Sequence, residues 1–431
     1  MKKMISLLLA GTLLISTFTA CGGTSNAAAS TTAGASSTAP TATDASKPTG
    51  EKTKIVFSTG MPDDAWKRSL EFFIKTANEK LADKNIEVVA EYYPSEEEMW
   101  KVLPAQIMSG SAPDIVGLNN EGALELITNG TFTALDDLIA ANGYDVSVLD
   151  KTNVTGWQYE GKQYSLPLTT TISALAVNMT MLKEAGITQA PKTMDELVKA
   201  AQAVTQKDQG VYGICVNLHE FHISQFIHAF DGGWNFGDDL NNAKNKEGMQ
   251  FVVDLFNKYQ VAATPAQIGV NGDVDAFAAG KCAMTTGGPW YVSALRDMNV
   301  DFEWTLVPIP AGTVQKSTLY GWGLSILDSC KDKEAAMEAI AAMLCDESFK
   351  YLVEERGDIP AKTSYVSGYE ELYPEMAVVL DTAKTATAFN YPVAANRFKS
   401  DLVTGLETVI FQGSMTIEDL LGKMAADGYK K

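Results

Sequence analysis

The sequence predicts an α/β fold divided into two lobes. Strand-like and amphipathic helical stretches alternate from Lys54 onward, the pattern of βαβ units and mostly parallel sheets. The span from Lys54 to Lys431 exceeds the size at which a single hydrophobic core stops growing, so the body splits in two. Helix starts carry capping-box signatures at Thr193 to Glu196 and at Thr416 to Asp419.

Lys54-Ile55-Val56-Phe57-Ser58 opens the body as a strand. A turn at Gly60-Met61-Pro62 leads to Asp63 and Asp64, acidic residues suited to a helix N-terminus. Trp66, Leu70, Phe73, Ile74, Ala77 and Leu81 then recur at helical spacing. Glu87 to Tyr92 reads as a second strand and Asp114 to Leu118 as a third, with helical sequence between them. Cys215 and Cys282 stand in strand-like runs and Cys345 in a helical one, with no C-x-x-C pair. They read as buried free thiols, although export would permit a disulfide.

Ahead of the body, Lys2 and Lys3, an apolar run from Met4 to Ile15 and small residues before Cys21 form an export signal over residues 1–20. That run is too short to span a membrane. Phe18-Thr19-Ala20-Cys21 resembles a bacterial lipobox, with Phe18 where Leu is usual, which implies that Cys21 carries a diacylglycerol. From Gly22 to Thr53 the chain is almost all Gly, Ala, Ser, Thr and Pro, and residues 21–53 are read as a lipidated Cys and a disordered stalk. The formal charge of −19 becomes more negative once Lys2 and Lys3 are removed, which disfavours nucleic acid and anionic membrane surfaces.

Several ordered segments resemble the family 1 extracellular solute-binding proteins of ABC importers, which include maltose-binding protein. Ser109 to Ile115 is similar to the family's G-x-x-P-D-[IV], and Gly161 to Pro167 to its G-K-x-Y-x-x-P. Val177-Asn178-Met179, Leu182 to Ile187 and Pro191 to Leu197 continue the likeness. It extends through Phe277 to Met284, Gly288-Pro289-Trp290, Val307 to Pro310, Asp358 to Ala361 and Gly413 to Ala426. The resemblance implies a type II periplasmic-binding-protein-like fold with a cleft between lobes joined by crossovers near Leu168, Ala311 and Gly357. It assigns residues 54–168 and 311–357 to the N-terminal lobe, and 169–310 and 358–431 to the C-terminal lobe.

Ligands of open α/β sheets bind outside the carboxyl ends of strands, so aromatic and polar residues just after strands are the site candidates. Trp290 follows a strand-like Ala283 to Thr286 and the turn Gly287-Gly288-Pro289, where a flat ring can stack on a pyranose; the competing reading is a core tryptophan. In the resembled family the Trp of this Gly-Pro-Trp commonly stacks on sugar. Trp322, flanked by Gly321 and Gly323, is open to either role, the glycines admitting a ligand close to the backbone. Trp234, in the turn-rich Gly232-Gly233-Trp234-Asn235, caps the ligand or covers the lobe surface. Trp66 reads as core with a cleft contact open to it. Asp64, Asn119, Asn120 and Glu121 follow strands and pair well with hydroxyls, while Asp64 also suits a helix cap. Arg397 lies where the family often places cleft residues.

His219, His222 and His228 do not fit one helical face and H-E-x-x-H is absent, so they read as polar cleft lining or surface rather than a metal site. No G-x-S-x-G, Walker A, G-x-G-x-x-G or organised Cys/His set is present. With 53 acidic residues, carboxylate pairs alone do not argue for a glycosidase. The expectation is a binder without catalysis, cofactor or metal: a monomer capturing a mono- or oligosaccharide for an ABC permease. It is expected on the cell surface, held to the outer face of the cytoplasmic membrane by its lipid, on the periplasmic side where an outer membrane exists. A ligand-sensing subunit for a membrane receptor kinase and a secreted carbohydrate-active enzyme are the alternatives.

Overall fold

A computed structural model describes residues 52–60, 64–121 and 123–429. The expected signal, Cys21 and residues 22–51 lie outside the described residues. Strands β1 (Thr53–Gly60), β2 (Ile86–Tyr93) and β3 (Ile115–Asn119) are separated by α1 (Asp64–Lys80) and α2 (Glu96–Ser109). Next come β4 (Leu166–Ile172), β5 (Ala174–Asn178), α3 (Met194–Val204), β6 (Tyr212–Cys215), α4 (Glu220–Ala229) and α5 (Ala243–Asn257). They are followed by β7 (Ala262–Ala263), α6 (Asp273–Ala278), β8 (Cys282–Gly287) and α7 (Trp290–Asp297). Then come β9 (Trp304–Pro308), β10 (Leu319–Ile326), α8 (Lys333–Met343), β11 (Ile359–Pro360), α9 (Ala395–Glu407) and α10 (Ile417–Asp427).

The strands form two sheets, β11-β4-β10-β3-β1-β2 and β9-β5-β8-β6-β7, each the centre of a lobe. The α1 periodicity does what it predicts: Leu70, Phe73, Ala77 and Leu81 are buried with Phe57 of β1 and Ile340 of α8. Leu175, Leu197, Ile214 and Met284 fill the second lobe in the same way. Thr416 and Asp419 form the full capping box (3.1 Å in both directions). At Thr193 only one arm matches: its hydroxyl accepts from Glu196 N (3.2 Å), while the Glu196 carboxylate accepts from Lys192 N (2.7 Å), one residue earlier.

The sheets are mixed, which corrects the expectation of mostly parallel strands. β1 runs parallel to β2 and β3, and β6 parallel to β7 and β8. β10 pairs antiparallel with β3 and β4, β11 antiparallel with β4, and β5 antiparallel with β8 and β9. The antiparallel strands are those flanking the passages between lobes, whose direction is set by where the chain returns and not by a βαβ crossover. β4 stays in the first sheet past Leu168 to Ile172, and β5 enters the second at Ala174, so the first passage is at Ser173. The second lies between Pro308 and Leu319, and the third follows Pro360.

Two of these passages are laced together. Thr318 N donates to Ser173 Oγ (2.8 Å) and Ser173 N to Thr318 O (2.9 Å). The Thr318 hydroxyl also meets Gln225 Oε1 (2.8 Å) and His228 Nδ1 (2.7 Å), and burial pushes the His228 imidazole down to about 3, leaving it neutral.

The Trp322 indole of β10 packs against β3 at Gly117, which has no side chain. A Cβ there would fall 2.0 Å from Trp322 Cζ2. Gly117→Ala is therefore expected to cost about 1–3 kcal/mol through overpacking, read as a lower urea midpoint. Cys215, Cys282, Cys330 and Cys345 are free thiols, and Cys345 is the residue preceding a helix at Asp346–Tyr351 instead of lying inside one. No helix among the described residues is long and apolar enough to cross a membrane.

Candidate functional site

Polar side chains from both lobes meet beyond the carboxyl end of β3. Ser95 caps α2, accepting from Glu98 N (3.1 Å), and so places Glu96 in the first turn. The Glu96 carboxylate accepts from Asn119 N (3.4 Å) and Asn119 Nδ2 (3.3 Å) at the end of β3, with Glu121 two residues on. From the other lobe comes α4, whose residues are all buried. A helix enclosed on every side must bury polar groups too, and here Glu220 and His222 are among them. α9 buries Ala395, Phe398, Leu402, Gly405 and Leu406. Lys399, four residues after Ala395 and three before Leu402, rides inside that stripe.

Lys399 Nζ lies 3.1 Å from Glu220 Oε1 and 3.6 Å from Glu121 Oε2, joining the lobes. Its ammonium also sits 5.1 Å from the Tyr391 ring centre. Burial pushes the Glu96 carboxyl up to about 7, and Glu121 adds to the shift. The Glu121 carboxyl is likewise raised, by burial and then by Glu220, against the opposing pull of Lys399. Burial favours loss of the Lys399 proton, but Glu121, Glu220 and Glu96 outweigh it and hold the ammonium charged.

A second group sits beside the first. His222 Nε2 lies 3.4 Å from Asp273 Oδ1, and His222 Nδ1 is 2.7 Å from Thr286 Oγ1. Asn217 Nδ2 donates to Asp273 Oδ1 (2.8 Å), and the Tyr291 hydroxyl donates to Asp273 Oδ2. Burial raises the Asp273 carboxyl, but the neighbouring His222 and the hydrogen bonds from His222, Tyr291 and Asn217 outweigh it and hold it below the usual carboxylate range. Next to Tyr291, Trp290 begins α7 half-buried, edge-on to Phe221 with ring centres 5.5 Å apart. Phe221 also meets Tyr320 (5.6 Å) and Phe389 (5.9 Å). A part-open indole beside carboxylates, an ammonium, an amide and an imidazole can cover an apolar ring face while exchanging hydrogen bonds with hydroxyls.

Among the sequence candidates, Asn119 and Glu121 lie in the carboxylate–ammonium group, and Trp290 lies against Phe221, next in sequence to the Tyr291 that donates to Asp273. Trp322 and Trp66 pack edge-to-face (5.1 Å) in the first lobe's core, and the Arg356 guanidinium lies 5.0 Å from the Trp66 ring centre. The glycines beside Trp322 admit protein, not ligand. A Cβ at Gly321 would fall 2.4 Å from Asn153 Oδ1, and one at Gly323 would fall 2.6 Å from Ser165 Oγ. Trp234 is fully buried, with Nε1 donating to Ser224 Oγ (2.8 Å), so it does not cover the lobe surface; it stands among the residues that line a cavity away from Trp290. Asp64 is the first residue of α1, and its side chain lies outside the described residues. Arg397 points away to pair with Asp427 and cover the Tyr429 ring, half-exposed.

The histidines are not a surface group: His222 and His228 are buried, and only His219, the N-cap of α4, is open. Among the described residues no cluster of His, Cys, Asp and Glu is arranged to hold a metal. Lys399, Glu220, Glu96 and Asp273 escaped the sequence reading. The lysine had a legible signal, a charge within an apolar helical stripe. A cavity of ≈ 520 Å³ elsewhere is lined by His228, Asp231, Lys244, Phe389 and Asn390, among others. Asp231 there is already paired with Lys244 and with Lys316 (2.6 Å).

A family model for bacterial extracellular solute-binding proteins matches residues 62–348. The chain belongs to that family. This solute-binding protein is 25% identical over 250 residues to the maltotriose-binding protein of Pyrococcus abyssi, a match covering 56% of this chain and 51% of that one. It is 23% identical over 302 residues to the galactooligosaccharide-binding protein of Bacillus subtilis, covering 67% and 69%. An ABC substrate-binding protein from Listeria monocytogenes, solved in complex with cycloalternan, shares the two-lobed fold. It superposes with a TM-score of 0.78 at 21% identity, over 88% of this chain and 98% of that one.

Proposed function

We propose that this solute-binding protein captures a carbohydrate, a mono- or oligosaccharide, between its lobes and delivers it to a membrane ABC permease without catalysing a reaction on it. The observation that carries this reading is the half-buried Trp290 ring beside the mixed-charge set of Glu96, Asn119, Glu121, Glu220, His222, Asp273 and Lys399. The names of the curated relatives, binders of maltotriose and galactooligosaccharide, support the substrate class. The lobes swing about Ser173, about the 309–318 segment, which contains the expected crossover near Ala311, and about the stretch after Pro360; the first and third lie a few residues beyond the positions expected near Leu168 and Gly357. Cys21 carries the lipid that keeps a monomeric binder near its permease at the outer face of the cytoplasmic membrane.

A sugar that binds only the folded protein raises its melting temperature, by about 2.7 kcal/mol of added stability at a hundredfold excess over Kd. A thermal-shift panel of mono- and oligosaccharides, amino acids and short peptides is expected to give its stabilising hits among the sugars. Stabilisation by a peptide or amino acid alone overturns the substrate class.

A further inference from the structure

Between the lobes, three carboxylates face one ammonium. Glu96 at the start of α2 and Glu121 after β3 belong to the first lobe; Glu220 of α4 and Lys399 of α9 belong to the second. The same surroundings include His219, whose Nδ1 lies 3.2 Å from Glu220, and the His222–Asp273 pair. Tyr391 lies beneath the ammonium, and Tyr320 of β10 lies near Glu121. The Glu121 side chain is 14% exposed, Lys399 18% and Glu220 7%, so the group is largely withdrawn from solvent and salt screens it weakly. Other contacts that cross at this face are an Arg68–Asp297 pair (3.8 Å) and Asn396 N on Glu125 Oε2 (3.5 Å), both exposed.

We propose that Lys399 is a positioning residue that latches the lobes through Glu121 and Glu220, and that closing this latch takes up a proton because three carboxylates then share one cation. The inference rests on the reading that the lobes close on a ligand, and it adds what that closure depends on. When the lobes part, Glu96 and Glu121 leave Lys399 and Glu220 and return to water, where a glutamate titrates near 4.3. In the joined state burial and crowding hold the Glu96 carboxyl up at about 7, and Glu121 shifts in the same direction.

The sign follows from those directions. A carboxyl with a higher pKa in the closed state binds a proton on closure, so closure is favoured as pH falls through about 7 and opposed above it. For one proton taken up, the closing equilibrium constant rises about tenfold between pH 8 and pH 6. Attraction to its ammonium makes Lys399 the residue that keeps closure feasible at neutral pH, since without it the Glu96, Glu121 and Glu220 carboxylates repel one another.

Small-angle X-ray scattering of the ligand-free protein from pH 5.5 to 8.5 tests this without any sugar. The expected result is a radius of gyration that falls as pH is lowered through about 7. Glu121→Gln is expected to flatten that dependence and Lys399→Met to steepen it, opposite effects that a general loss of folding does not produce. A radius of gyration independent of pH in the wild type, or one equally pH-dependent in Glu121→Gln, overturns the proposal. The carbohydrate reading fails separately, in the thermal-shift panel: a pH-dependent radius with no sugar hit leaves the latch standing and removes the sugar.

Discussion

Replacing Trp234 by alanine is expected to cost about 3–5 kcal/mol of stability, the scale of removing a large buried aromatic. The indole is fully buried, meets Phe398 edge-on at 5.0 Å and donates to Ser224 Oγ at 2.8 Å. It thereby ties the loop after α4 to both α4 and α9, the helices that carry Glu220 and Lys399. The loop is fixed by more than the ring, since Gly233 N donates to Asn245 Oδ1 (2.8 Å) and Asn245 Nδ2 returns to Gly233 O (3.0 Å). Those hydrogen bonds keep the loop from collapsing into the space left by the ring, so the cavity persists. Urea unfolding of Trp234→Ala should show a lower midpoint at an unchanged slope. A change within about 0.5 kcal/mol would mean that the ring is not the packing element that its burial indicates.

Trp290→Ala should have the opposite profile, with little effect on stability and a large one on binding. The ring is half-buried, and a Cβ on Gly288 would fall 2.1 Å from Trp290 Cζ3, so the indole's six-membered ring packs against a glycine while part of the residue stays exposed. Losing an aromatic platform that desolvates a sugar face removes roughly 1.5–3 kcal/mol, which is about a 10- to 100-fold weaker Kd. Trp290→Phe should retain part of the affinity, because a smaller ring covers less of the same face. Calorimetric titration with the sugar that gives the largest thermal shift measures both. Equal affinity in wild type and Trp290→Ala would remove this residue from the site.

What the sequence made legible was local. β1, β2, β3 and α1 fall where their periodicities predict, because a two-residue or 3.6-residue repeat is decided by the side chains of one segment. Trp290, Asn119 and Glu121 became candidates for an equally local reason: Asn119 ends a strand and the other two follow one, and ligands of such sheets bind outside the carboxyl ends of strands. The antiparallel course of β4, β10 and β11 was not, because it depends on which lobe the chain returns to. Nor was the burial of Trp234, whose Gly-Gly turn reads as surface until Phe398, far along the chain, closes over it.

The choice between Arg397 and Lys399 shows the boundary most clearly. Family likeness pointed to the segment, and both residues carry a long cationic side chain. The apolar stripe of α9 separates them, since Lys399 lies within the set Ala395, Phe398, Leu402 and Leu406 while Arg397 lies off it, paired with Asp427. Glu220 and His222 had no such signal. They stand in a helix buried all round, where the stripe rule gives no preferred face.

The most direct test of carbohydrate capture in the interlobe cleft is a crystal structure of the protein grown with the sugar that stabilises it most. The expected result is a sugar ring against the exposed part of Trp290, with hydroxyls within hydrogen-bond reach of Glu121, Glu220 or Lys399. Sugar bound instead in the cavity of ≈ 520 Å³ around Asp231 and Asn390, with the cleft at Trp290 empty, would contradict it.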